Sequence, residues 1–186
     1  MPFLYGLEPY IPKQNCIIVD IDDTVARTTL NVSPPDMSSQ PTDTKLRDIW
    51  DKYHKDIMYY DLDYIEPLNS VIILIEAYIH FTCNPKVIFM TGREDNENGL
   101  IKLNTYRFIR KNFEQYNRPI YFNHETILMR PKDDYRPNHL VKEELLTKHI
   151  LPEYDVVMAF DDNEENTQMF LKYGINVVKP YYQLCS

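Results

Sequence analysis

Apolar positions along this chain fall into short unbroken blocks separated by longer stretches of helical spacing. Cys16 to Asp20, in "CIIVD", is a continuous apolar run that ends in acid and predicts a buried strand. "KVIFMTG" (86–92), "TILMRP" (126–131), "DVVMAFDD" (155–162) and "INVV" (175–178) predict four more. Between them lie helical patterns. Residues 44–53 carry Leu46, Ile49, Trp50 and Tyr53 at helical spacing. A buried helix is expected from Pro67, at its first position, to Phe81. Further helices are expected over 97–113, over 138–151 with Asn138 as N-cap, and over 163–173 with Gly174 as the stop. "SPPDMSSQPTD" reads as loop. Strands alternating with helices predict an α/β fold, a Rossmann-type parallel sheet flanked by helices. One domain over 1–186 is expected, with a small cap insertion after the first strand at approximately 27–60.

In such sheets ligands bind beyond the carboxyl ends of the strands. Three clusters fall there: Asp20 with Asp22, Thr91 with Gly92 and Arg93, and Asp161 with Asp162. Carboxylates crowded at strand ends raise one another's pKa, and a divalent cation relieves the repulsion. Hard oxygen ligands suit magnesium, which also bridges to phosphate. Asp20 and Asp22 are two apart, so in extended chain they face one side and can divide the labour. One attacks phosphorus while the other handles the proton of the leaving oxygen. Turn-forming aspartates or a calcium loop account for one such cluster, but a second acidic pair after another apolar strand makes that reading weaker. A hydroxyl and a free N–H at Thr91 and Gly92 can hold phosphoryl oxygens. Lys142, near a helix start, can neutralise nucleophile and phosphate, or be an ordinary exposed helix lysine.

Taken in order, "DIDDT", "TGR", a lysine and "DD" resemble the haloacid dehalogenase (HAD) superfamily of phosphatases. The stretch from "DYRPNHLVKEELL" to "YGINV" resembles more narrowly the 3′-phosphatase domains of bacteriophage-type polynucleotide kinase/phosphatases, as do "YYDLDYIEPLNSVI" and "VIFMTGRED". The resemblance covers most of 15–178 and weakens between 28 and 57. It implies a Mg2+-dependent phosphatase working through an aspartyl-phosphate and removing 3′-phosphates from polynucleotide or nucleotide ends. It makes Asp20 the nucleophile and Asp22 the general acid and then base. Thr91, Gly92 and Lys142 would bind phosphate. Asp161 and Asp162 would ligate the metal with Asp20 and Asp22, the last through its carbonyl. Arg93 would help hold the substrate, with Arg27, Arg47 and Arg136 as further substrate-binding candidates. Two positions depart from the family pattern. Asn163 stands where arginine is usual after the acidic pair, and Asn138 where aspartate is usual four residues before the lysine. Both asparagines also suit helix caps. A phosphatase of nucleoside monophosphates or another small ester therefore remains the alternative. Signalling receivers place the phosphorylated aspartate on a later strand than the acidic pair, which disfavours that class here; a catalytically dead scaffold is disfavoured by the intact motif residues.

Composition alters this picture at a few points. The formal net charge of −8 argues against a general nucleic-acid coat. Yet residues 86–148 carry a net of +3, so the middle third is where an anionic ligand is expected. Cys16, Cys83 and Cys185 show no CxxC spacing and read as reduced thiols of a soluble, intracellular (cytoplasmic) protein. The first residues lack a basic segment followed by an apolar one, so no secretory signal is expected. Val71 to Phe81, the longest oily run, holds Glu76 and His80 and is too short for a bilayer. The histidines show no zinc-ligand spacing. Tyr53, Tyr59, Tyr60 and Tyr64 are expected to pack, or to stack on a base. No GxxxxGK[ST] occurs among four glycines, so a phosphatase without a kinase half is expected.

Overall fold

A computed structural model describes residues 12–28, 65–82, 85–95, 99–113 and 124–180. The expected helix over 44–53, Arg47, the tyrosines from 53 to 64, Cys83, Cys185 and nearly all of the expected cap lie outside the described residues.

Strand β1 (Gln14–Val19) is the middle of a five-stranded parallel sheet. It pairs on one side with β4 (Lys86–Glu94), which pairs with β5 (Ile127–Arg130). On the other side it pairs with β6 (Tyr154–Phe160), which pairs with β7 (Val177–Val178). The chain leaves the sheet through β2 (Ala26–Thr28) and returns through β3 (Ile65–Pro67), an antiparallel ribbon of two strands. Helices α1 (Asn69–Phe81), α2 (Leu100–Phe113), α3 (Asn138–Leu145) and α4 (Glu164–Lys172) join the strands.

The unbroken apolar run of β1 follows from helices covering both faces, since successive side chains point to opposite sides. Ile17 and Val19 join one cluster with Ile72 and Ile75 of α1 and Ile109 and Phe113 of α2. Cys16 and Ile18 join another with Val141 and Leu145 of α3 and Phe170 of α4. Cys16 is a free thiol whose burial pushes its pKa up to about 12.

Two local expectations are corrected. Pro67 is not the first helical residue. It closes β3 opposite Ala26, and the next N–H, of Leu68, continues to the Val25 carbonyl at 2.9 Å, so α1 starts only at Asn69. Proline's fixed φ suits either place. Asn138 is the first residue of α3 rather than its N-cap, a place taken by Pro137 with φ −49° and ψ 143°. The helix expected over 138–151 is present, and its last turn changes type. Leu146–Ile150 widens to π geometry, with the Leu151 N–H reaching the Leu146 carbonyl at 2.9 Å. Within that turn, Thr147 Oγ1 donates back to the carbonyls of Glu143 (2.8 Å) and Glu144 (3.2 Å) and competes for the ladder's acceptors. Asn163 does cap α4, its side chain accepting from the Asn166 N–H at 3.0 Å, and Gly174 ends it with φ 72°.

Candidate active site

The strand order reverses at β1, which pairs with β4 to one side and β6 to the other, so a crevice opens at its carboxyl end. Asp20 is the residue there. Its N–H is held by the Phe160 carbonyl at 2.9 Å, which fixes the side chain between the ends of β1 and β6. The chain then turns at once. The N–H groups of Val25 and Ala26 both reach the Ile21 carbonyl at 2.9 Å, and Asp23 takes a left-handed φ of 56° that aspartate tolerates. Ile21 is buried as the sequence alternation requires, while Asp22 is exposed and stands across the crevice.

Lys142 of α3, wholly buried, donates to Asp20 Oδ1 and to Asp161 Oδ2, each at 2.7 Å. It is therefore not an exposed helix lysine. Asp161 follows β6, its N–H tied to the Val178 carbonyl at 3.2 Å. Thr24 Oγ1 lies 3.3 Å from Asp20 Oδ2 and 3.2 Å from Asp162 Oδ1, and accepts from the Asp162 N–H at 3.2 Å. One hydroxyl thus joins the first and last acidic clusters.

At the end of β4, Arg93 is 4% exposed and turned toward Asp22. Its Nε donates to both Asp22 oxygens (3.2 and 2.9 Å), its Nη2 donates to Oδ1 (2.6 Å), and its Nη1 donates to Thr105 Oγ1 of α2 (3.0 Å). The Arg93 N–H donates to Thr91 Oγ1 at 3.2 Å, and that hydroxyl lies 3.5 Å from Asp22 Oδ2. Gly92 lies close to the Asn138 side chain: a Cβ there would stand 2.7 Å from Asn138 Oδ1, so that amide would have to shift to admit one.

Electrostatics follow burial. Loss of water pushes the Asp20 carboxyl up to about 8, against the pull of Lys142 and with the push of Asp161. Burial likewise raises Asp162, with Asp161 adding to it. Burial draws Lys142 down, but Asp20 and Asp161 more than reverse it and hold it protonated. Arg93 behaves alike, with Asp22 restoring what burial removes. Asp20, Asp161 and Asp162 each offer an oxygen within 4.8 Å of the other two. An all-oxygen set crowded into so small a space fits a hard divalent cation.

Of the residues expected at the site, Asp20, Asp22, Thr91, Gly92, Arg93, Lys142, Asp161 and Asp162 come together. The Asp22 carboxylate lies with Arg93 rather than in the acidic triad, which leaves its carbonyl as the group expected at a metal. Arg27 lies on the β2–β3 ribbon, half-buried and opposite Glu66. Arg136 is engaged by Asp134 (2.5 Å) and Glu144 (2.6 Å) at the surface. Arg47 lies outside the described residues. Thr24, Thr105 and Asn166 were missed. Asn166 donates through Nδ2 to both oxygens of Asp161 (3.0 and 3.1 Å). Thr24 had a signal in "DIDDT"; Thr105 and Asn166 have none beyond their place on a helix.

The model of the family described as "Polynucleotide kinase PNKP phosphatase domain" matches residues 14–182. Among curated proteins none matches in sequence. Two solved structures of a Pnkp1/Rnl/Hen1 complex, one of them described as an RNA repair complex, contain chains similar to this one. The first is 19% identical with a TM-score of 0.62, covering 91% of this chain and 43% of that one. The second is 21% identical with a TM-score of 0.60, covering 97% and 50%. A haloacid dehalogenase-like hydrolase, SP0104 from Streptococcus pneumoniae, is 14% identical with a TM-score of 0.51 over 88% of this chain and 83% of its own. At these identities the structures speak for the fold, and the chain spans half or less of the two repair-complex chains. With the family model covering nearly the whole chain and an HAD-like sheet carrying the acidic crevice, this chain belongs to the PNKP phosphatase-domain family of HAD phosphatases.

Proposed function

We propose that this protein is a magnesium-dependent phosphatase that removes 3′-phosphates from polynucleotide or nucleotide ends through an aspartyl-phosphate. The observation that carries the reading is the unequal setting of two aspartates. Asp20 is buried between Lys142 and the acidic pair, and Asp22 is exposed and aimed by Arg93. Asp20, Asp161 and Asp162 would hold the cation, which when bound supplies positive charge for the carboxylates and the phosphoryl oxygens. Lys142 and the Thr91 hydroxyl then bind phosphoryl oxygens on the other side.

An Asp20 oxygen attacks phosphorus, the bond from phosphorus to the 3′-oxygen breaks, and Asp22 gives its proton to the leaving oxygen. The phosphoryl dianion brings negative charge beside Asp22 and favours its protonated form. In the second half Asp22 takes a proton from water, the water oxygen attacks phosphorus, and the Asp20–phosphorus bond breaks to release orthophosphate. Arg93 keeps Asp22 in line through both halves. The family match and the similarity to chains of an RNA repair complex support a nucleic-acid end as substrate.

Turnover of 3′-phosphorylated oligonucleotides, 5′-phosphorylated controls, nucleoside monophosphates and an aryl phosphate, with and without magnesium, tests this. The expected result is magnesium-dependent release from 3′-ends, lost by a factor of about 10³ or more in Asp20→Asn and Asp22→Asn. Salt should raise KM for oligonucleotides more than for the aryl phosphate. Hydrolysis of mononucleotides alone would move the assignment to small phosphate esters, and full activity in excess EDTA would refute the metal.

A further inference from the structure

Among the described residues, the hydrogen bonds of Arg130, at the end of β5, go to backbone carbonyls and one amide oxygen. Its Nε donates to the Gly92 carbonyl (3.0 Å). Its Nη1 donates to the carbonyls of Asp134 (2.8 Å) and Arg136 (2.7 Å), and its Nη2 reaches Asn138 Oδ1 (3.4 Å). One planar fork therefore ties the end of β4, the turn before α3 and the first residue of α3. Those segments carry the phosphate-binding groups. Thr91 and Arg93 flank Gly92, and Lys142 lies one helical turn beyond Asn138.

We propose that Arg130 is a positioning residue for the phosphoryl-binding cup, acting through the Gly92–Arg93 peptide; this rests on the phosphatase reading of the site. In a trans peptide the carbonyl and the following N–H point in opposite directions. With the Gly92 carbonyl held by Arg130 on one side, the Arg93 N–H faces the other, where it meets Thr91 Oγ1 at 3.2 Å. The same guanidinium reaches Asn138 Oδ1, the atom that a Cβ on Gly92 would approach to 2.7 Å. It thereby sets the gap between the Thr91–Arg93 turn and the helix that brings Lys142. A lysine offers one point charge and cannot hold carbonyls on separate segments in a fixed plane.

Wild type, Arg130→Lys and Arg130→Gln are compared by calorimetric titration with inorganic phosphate in magnesium, by titration with magnesium alone, and by turnover of an aryl phosphate and a 3′-phosphorylated oligonucleotide. Phosphate should bind at least about tenfold more weakly to both variants, with magnesium affinity unchanged within about twofold. Because Arg130 positions the groups that hold the phosphoryl oxygens common to both substrates, kcat should fall by the same factor on both. Phosphate affinity unchanged within about twofold, a loss confined to the oligonucleotide, or failure of both variants to fold would each overturn the proposal. The wild-type turnovers test the substrate reading separately. A wild type that binds phosphate but cleaves neither substrate refutes that reading and leaves the comparison of phosphate affinities to decide on Arg130.

Discussion

Thr105→Val isolates a hydrogen bond that lies one shell away from the reacting atoms. The exchange keeps nearly the same volume on α2 and removes the oxygen that accepts from Arg93 Nη1 at 3.0 Å. Both residues are buried, Thr105 completely, so water cannot replace the lost acceptor. Hydrogen bonds to charged groups contribute about 1.5–3 kcal/mol. For a chain of 186 residues, where each kcal/mol moves Tm by roughly 2–4 °C, the melt should fall by about 3–12 °C. Arg93 keeps its three bonds to Asp22, so the proposed general acid stays paired but loses its fixed backing. kcat should drop about tenfold with KM little changed, inside the hundredfold that a misplacement of about 1 Å produces. Thermal melts and steady-state rates on an aryl phosphate measure both quantities, with Thr105→Ser as the control that retains the hydroxyl. If Thr105→Val melts and turns over like wild type, or if the serine variant falls as far as the valine one, the hydroxyl is not what holds Arg93.

Two further outcomes are expected. Burial raises Glu76 on α1 from 4.5 to about 7, so the fold favours its protonated form. The associated stability is present below 4.5 and lost as pH rises through 7. Glu76→Gln should therefore melt higher than wild type at pH 8 and level with it at pH 4, and equal shifts at both would refute the assignment. Magnesium at about a hundred times its Kd should add about 2.7 kcal/mol of stability, seen as a rise in Tm that Asp161→Asn largely abolishes; an undiminished rise in that variant would place the cation elsewhere.

What could be read from the linear chain was decided by local signals. Asp20 and Asp161 end apolar strands, and that transition is visible without a fold. The parallel order then follows from alternation with helices, and it assembles "DIDDT", "TGR", Lys142 and the acidic pair at one edge. Arg130, Thr105 and Asn166 carry no such mark. Each sits in an ordinary strand-end or helix context and gains its role from a contact with Gly92, Arg93 or Asp161 made only after the sheet is built. Caps were readable in part. Asn163 has an extended ψ of 132° and its side chain meets the Asn166 N–H, whereas Pro137 takes the place ahead of Asn138. Pro67 misled because a fixed φ near the start of a helix is equally at home at the end of a short strand.

The ribbon of β2 and β3 bears on how such a protein diversifies. Ala26 and Pro67 are partners in register, so the polypeptide departs and returns through a doorway held by strand pairing. The entropy of closing an excursion grows only with the logarithm of its length. Residues 29–64 can thus be exchanged over generations for longer, shorter or differently charged segments while β1 and Asp20 stay where they are. The doorway also opens four positions after Asp22, so whatever is inserted there begins beside one of the two aspartates of the crevice. Change can therefore accumulate in that excursion while the acidic crevice at the end of β1 is inherited unchanged.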